Sequence, residues 1–278
     1  MSKLTERLLL FFLGTPLLIV IIMFLPMYNH IVWNIVMILG SLAGTAEFYK
    51  ILTRKFNIHL RKLPFAGAYL PIAAYLEMAG ITFQGFTSLV LIILVSILMT
   101  REVFLKDQKD INNVIVRLAS SIMILIYPGY FMTYTIKISI FQDASYLIFL
   151  FLILVFINDS MAFVGGSLLG RKSRKLFIVS PNKSTAGFIS GFIFTISAGL
   201  LFKIIFPVPV SYWQIIVLST ACTISSNIGD LIESAIKRSA DVKDSGNLMP
   251  GRGGILDSID SMLFSAPAYY FILLLFLN

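Results

Sequence analysis

Apolar runs of bilayer length dominate the chain. A helix needs about 20 predominantly apolar residues to cross a hydrocarbon core, and nine stretches meet that need, at approximately 7–28, 31–49, 64–82, 85–100, 114–135, 145–167, 185–205, 213–233 and 259–277. Charged or turn residues bound each of them. Pro71 and Glu77 interrupt the third, and the fourth is short. The first follows Lys3 and Arg7 as the core of a signal peptide would, but it is too long for one and lacks a small-residue cleavage site, so it is expected to stay as a transmembrane helix. The pattern predicts an all-α fold, a polytopic transmembrane bundle of about nine helices. No repeat of 20 to 50 residues and no low-complexity tract breaks the chain, so residues 1–278 are expected to form a single integral membrane domain.

Composition closes off the soluble alternative: 58% of residues are hydrophobic and 13% charged, with a mean hydropathy of +0.89, where a soluble domain is about one quarter charged. The net charge of +8 does not point to nucleic acid. Lys and Arg come in short clusters between apolar runs, never as a basic stretch interleaved with aromatics. The charge is topological, facing anionic lipid headgroups or an anionic substrate. With the N-terminus cytoplasmic, alternate loops hold Lys50, Arg54, Lys55, Arg61 and Lys62; Arg101, Lys106 and Lys109; Arg171 to Lys175 and Lys183; and Lys237, Arg238, Lys243 and Arg252. Lys137 and Lys203 alone fall outside. This asymmetry predicts an external C-terminus, residence in the plasma membrane and polar chemistry on the cytoplasmic face. The single Cys222 excludes an intramolecular disulfide and a cysteine metal cage. His30 and His59 lie in separate connections without the spacing of metal ligands.

Ionisable groups at membrane depth face a bundle interior or a watery cavity, which makes them functional candidates. In the eighth run Thr223, Asn227, Asp230, Ser234 and Lys237 recur at three- and four-residue spacing and share one helix face. Hydrogen bonding between helices accounts for the hydroxyls but poorly for Asp230. Asp257 and Asp260 share a face at the start of the ninth run, where capping alone is the plainer explanation of either. Before them stands Pro250-Gly251-Arg252-Gly253-Gly254, a glycine turn opening a helix, of the kind that brings N–H groups close to an anion. The intervening loop carries Arg238, Lys243 and Asp244, which topology alone would also place there. Asn158 and Asp159 interrupt the sixth run, ahead of a ladder of small residues (Ala162, Gly166, Gly170) suited to close helix packing. Beyond lies Ser180-Pro181-Asn182-Lys183-Ser184, a turn with cationic and hydroxyl groups. Glu47 and Glu77 receive no role. Together the set combines hard oxygen ligands for Mg²⁺, cations for phosphates and a glycine turn on one membrane face. It predicts metal-assisted phosphoryl or nucleotidyl chemistry at the lipid boundary, concentrated in residues 156–260.

The segment Ser234 to Asp260 resembles the signature of phosphatidate cytidylyltransferases, or CDP-diacylglycerol synthases. Its spacing holds without a gap at Ser234, Lys237, Arg238, Lys243, Asp244, Gly246, Pro250, Gly253, Gly254, Asp257 and Asp260. Asn158-Asp159 and Ser180 to Ser184 are similar to the family's looser upstream motif. The resemblance implies an enzyme that condenses CTP with phosphatidic acid to CDP-diacylglycerol and pyrophosphate, using Mg²⁺ and leaving room for a second cation. It implies catalytic Asp230, Asp257, Lys237, Arg238 and Lys243, with Asp230 and Asp257 as metal ligands supported by Asp260. Substrates would be bound by Asn158, Asp159, Ser180, Asn182, Lys183, Ser234, Asp244, Arg252, Gly253 and Gly254. The partners are then CTP, phosphatidic acid and the bilayer, and a homodimer stays open. The chain departs from the family pattern at Arg252, usually His, at Ser258, usually Arg, and at Met249, Ser184 and Ala186. Arginine cannot act as a general base, so Arg252 is expected to serve instead as a phosphate clamp. A CTP-dependent lipid kinase or a cytidylyltransferase for another lipid phosphate are the neighbouring alternatives. A transporter using Asp159 and Asp230 as a relay is a more distant one.

Overall fold

The computed structural model describes residues 10–58, 60, 65–105, 108–170, 177–181 and 183–277. Nine principal helices follow one another: α1 (Thr15–Phe24), α2 (Met27–Phe56), α3 (Ala66–Met78), α4 (Phe86–Val103), α5 (Val114–Ile140), α6 (Ala144–Leu169), α7 (Thr185–Ile205), α8 (Tyr212–Ser239) and α9 (Leu256–Leu277). The all-α expectation holds: no strand occurs among the described residues, where an isolated bridge joins Met249 to Gly253. Seven of the nine helices are long and apolar enough to cross a membrane; α1 and α3 are shorter.

Each apolar run becomes a helix, but the lengths differ for physical reasons. α3 has 13 residues and carries Pro71, so at ~1.5 Å per residue it falls well short of a ~30 Å core. α2 and α8 continue beyond the apolar windows expected for them, to Phe56 and Ser239. Hydropathy registers the hydrocarbon region, whereas an α-helix continues into the polar boundary as long as its residues permit. α5 changes pitch around Pro128, with a π turn at Leu125–Tyr130. Ser41 Oγ lies 2.5 Å from Gly67 O and 2.6 Å from Pro128 O, joining α2, α3 and α5 at that point.

Buried Trp33, Phe48, Phe151 and Tyr269 fill the interior between α2, α6 and α9. The Tyr269 hydroxyl donates to Leu147 O at 2.8 Å, which pairs that phenol within the apolar interior. The α6–α7 crossing is close because it is lined by small residues: a Cβ on Gly187 would stand 2.7 Å from Ala162 O. Ile92, Ile93, Ile97 and Met99 of α4 are exposed, as side chains facing lipid are.

Carboxylates from other helices satisfy two helix starts. Glu77, at the end of α3, accepts Gly85 N–H at 2.9 Å and Thr87 N–H at 2.8 Å, and also the Thr87 hydroxyl. These are orphan donors at the start of α4. Glu47 does the same for α9. The side chain of Arg117 on α5 grips Glu102 on α4 through Nε and Nη2 at 2.5–3.0 Å. The C-terminal ends of α2, α6 and α8 thereby meet the N-terminal ends of α7 and α9 at one face of the bundle. Replacing Glu77 by Ala should destabilise the detergent-solubilised protein by about 1–2 kcal/mol, the usual cost of a lost cap. Reversible unfolding measures this, and unchanged stability would show that α4 starts without Glu77.

Candidate active site

Where those five helix ends meet, acidic side chains crowd together. On α8, Asp230 forms an ion pair with Lys183, which precedes α7, and Ser234 Oγ lies 3.4 Å from Asp230 Oδ1. One turn later, Glu233 is buried. Lys237 follows four residues on and bridges two acids, with Nζ 2.6 Å from Glu233 Oε2 and 2.5 Å from Asp257 Oδ1. Neither Glu233 oxygen accepts a directed hydrogen bond, so the ion pair is its whole compensation. Asp257 is held differently: its Oδ2 accepts Gly254 N–H at 2.7 Å and Ser245 N–H at 2.9 Å and lies 3.0 Å from Ser245 Oγ. Asp260, one turn into α9, is buried, and its Oδ1 accepts Ser261 N–H at 2.6 Å.

Asp159 of α6 completes the group. Its Oδ1 accepts from Ser226 Oγ at 3.1 Å, Ser261 Oγ at 3.3 Å and Asn158 Nδ2 at 3.4 Å. The five carboxylates line one cavity of about 510 Å³ together with Lys183 and Lys237, and Ala162, Phe163, Gly166, Gly187 and Phe188 form its apolar wall. Phe163 is itself exposed on the outer surface of α6. The Lys183 ammonium lies 5.8 Å from the centre of the Phe188 ring, at the border between the polar and apolar walls.

Five carboxyl groups and two ammonium groups meet here, an excess of acidic side chains in a partly buried space. Glu233, without directed hydrogen bonds, adds oxygen donors on the cavity wall. Hard oxygens in excess suit a hard divalent cation, so the residues present fit one. Among the described residues no three His, Cys, Asp or Glu side chains close around a ready-made metal position. Lysine ammonium groups, not an acidic cage, are the immediate partners of Asp230 and Asp257.

The structure brings together Asp159, Lys183, Asp230, Lys237, Asp257 and Asp260 on the cavity wall, with Asn158 and Ser234 bonded to wall residues. Other candidates lie apart from the wall. Arg238, Lys243, Asp244 and Arg252 are exposed, and Arg238 Nη1 donates to Val242 O at 3.4 Å. Ser258 Oγ donates to Gly254 O at 3.3 Å. Ser180 is half-buried, and its carbonyl accepts Lys183 N–H at 3.1 Å. Asn182 lies outside the described residues. Gly253 has φ +108°, a backbone that glycine adopts without strain, and its N–H donates to Met249 O at 3.1 Å. Glu233 and Ser245 went unread in the sequence, and Glu47 received no role there. Glu233 carried a local signal, four residues before Lys237 in an apolar helix. Glu47 and Ser245 carried none, because they pair across 198 positions.

Comparison with known proteins agrees with the signature. Residues 5–276 match the model of the cytidylyltransferase family. A phosphatidate cytidylyltransferase of Bacillus subtilis is 39% identical over 153 residues, which cover 54% of this chain and 56% of the relative. Phosphatidate cytidylyltransferases of Staphylococcus saprophyticus and Staphylococcus aureus are 36% and 35% identical over 127 residues, 45% of this chain and 48% of theirs. The chain thus spans about half the length of the curated relatives it matches. The match along nearly all its residues, on a bundle of membrane-length helices that gathers acids and lysines at one face, shows that the chain belongs to the cytidylyltransferase family.

Proposed function

We propose that this protein is a phosphatidate cytidylyltransferase, joining CTP to phosphatidic acid to form CDP-diacylglycerol and pyrophosphate. The observation that carries the reading is the two-sided cavity, with carboxylates and lysines on one wall and Ala162, Phe163 and Phe188 on the other. Such a space suits a phosphate-rich nucleotide meeting a lipid whose acyl chains stay in the leaflet. The basic loops on this face support a cytoplasmic location in the cell membrane.

In the reaction, a phosphate oxygen of phosphatidate forms a bond to the α-phosphorus of CTP, the bond from that phosphorus to the β-phosphate bridge breaks, and pyrophosphate leaves with the electron pair. No general base is needed. A phosphomonoester has a second pKa of about 6 and is largely ionised at neutral pH. The chain's task is to orient two anions and to stabilise charge as it moves to the leaving group. Asp230 and Asp257, supported by Asp260, would hold Mg²⁺, which when bound supplies positive charge against the triphosphate. Lys183 and Lys237, now on Asp230 and Asp257, are placed to turn to phosphate oxygens. Asn158 steadies Asp159 on the cavity wall, directly and through Ser226. Arg238, Lys243 and Arg252 sit at the exposed approach and draw anionic substrates inward.

The decisive experiment supplies the purified protein with CTP labelled at the α-phosphate, phosphatidate and Mg²⁺, and follows label into lipid and the release of pyrophosphate. Labelled lipid with pyrophosphate is expected; release of CDP would identify a lipid kinase instead. Asp230→Asn and Asp257→Asn should each lower turnover by about 10²-fold or more while leaving the protein folded in detergent. Full activity in either variant would remove that residue from the mechanism. Arg252→His exchanges a permanent cation for a mostly neutral ring at neutral pH, and should raise the KM for CTP about 10-fold, one charge-assisted contact being worth roughly 1.5–3 kcal/mol. An unchanged KM would show that Arg252 does not touch the nucleotide.

A further inference from the structure

The N-terminus of α9 is fastened by a carboxylate from the far end of the sequence. Glu47 of α2 is buried; its Oε1 accepts Ile255 N–H at 3.0 Å and its Oε2 accepts Leu256 N–H at 2.9 Å. These are the first N–H groups of the helix, which have no partner within it and form its positive end. Glu47 Oε2 also lies 2.8 Å from Ser245 Oγ. That hydroxyl stands 3.0 Å from Asp257 Oδ2 and accepts Asp257 N–H at 3.3 Å. Two carboxylates therefore flank one hydroxyl, which has a single proton to give.

Two signature glycines make room for this arrangement. A Cβ on Gly246 or on Gly254 would stand 2.7 Å from Glu47 Cδ. Their smallness thus serves an internal carboxylate, which the glycine-rich spacing alone does not disclose. On the Glu47 side Asp257 Oδ2 is saturated by Gly254 and Ser245, so its Oδ1 is left facing Lys237 and the cavity.

We infer that Glu47 is a positioning residue for Asp257, acting through Ser245 and the first N–H groups of α9 to aim Oδ1 into the cavity. The inference rests on the reading of Asp257 as a ligand for a divalent cation in a cytidylyltransferase site. A glutamine at this position would turn an NH₂ group toward N–H or O–H donors and so disrupt the contact with little change of shape.

The test uses the full chain in detergent micelles, with Mn²⁺ binding read by electron paramagnetic resonance in the absence of nucleotide, and with kcat and KM measured separately. Glu47→Gln should weaken Mn²⁺ binding and lower kcat by about 10-fold or more, the range found for partners that orient a metal ligand, with the KM for phosphatidate unchanged. Ser245→Ala leaves the Glu47 bonds to α9 in place and should move both quantities in the same direction. The double variant should be no worse than the weaker single one, because both act along one path. Mn²⁺ affinity and kcat at the parent level in Glu47→Gln, or losses that multiply in the double variant, would overturn the inference alone. If Glu47→Gln does not fold, Ser245→Ala decides: parent-level binding and kcat would overturn it. A parent chain that neither binds Mn²⁺ nor forms CDP-diacylglycerol would remove the underlying reading, and the inference with it.

Discussion

Hydrocarbon solvates neither a peptide group nor an ion, and an unpaired N–H or carboxylate at membrane depth costs several kcal/mol. The arrangement of this bundle follows from that constraint. Ordinary helix interiors satisfy themselves, so the difficulty falls on helix ends and on the few charged side chains. Here the two problems are solved against each other. Glu77 supplies acceptors to the start of α4, and Glu47 supplies them to the start of α9. Each acid gains donors that the helix could not use, and each helix end gains a negative charge at its positive pole.

The same reasoning explains why the polar groups of the cavity are interlocked. Asp257 alone is held by Gly254, Ser245 and Lys237, and Lys237 also serves Glu233. Removing one member would strand another in a poorly solvated space, where breaking a pair costs more than the pair contributes. Yet acids outnumber cations in the cluster. Five carboxylates share two lysines, and such an excess is tolerable next to an opening through which cations and water can enter. For the proposed polyanionic nucleotide, the gain would come from the lysines and from any cation the acids draw in. Lysines tied to acids are held in place without closing the space that the ligand needs, and the apolar wall beside them keeps the lipid side of the cavity distinct.

Much of this could be read along the chain. About 20 apolar residues per crossing is a requirement of the bilayer itself, so the nine runs mark the nine helices, and a 3.6-residue repeat places Asp230 and Lys237 on one face of α8 before any fold is known. The signature from Ser234 to Asp260 carries the family. What local pattern could not supply is pairing. Lys183 falls in a loop that charge topology alone would explain, and only the approach of α7 to α8 sets it on Asp230. Arg238 and Lys243 share the signature with Lys237, but Arg238 sits one residue further round α8 and Lys243 lies past its end, and both are exposed.

Sequence by itself determined the helical class, the count and order of the helices and the chemical types available at one face, because hydropathy and helical periodicity act between near neighbours. Tertiary structure decided which acid meets which cation, how short α3 is, and that Glu47 and Glu77 cap helices other than their own. Glu47 meets Ser245 and Leu256 across 198 and 209 positions. No periodicity spans that interval; the contact exists because α2 and α9 pack side by side, and a carboxylate buried between them takes the nearest unsatisfied donors.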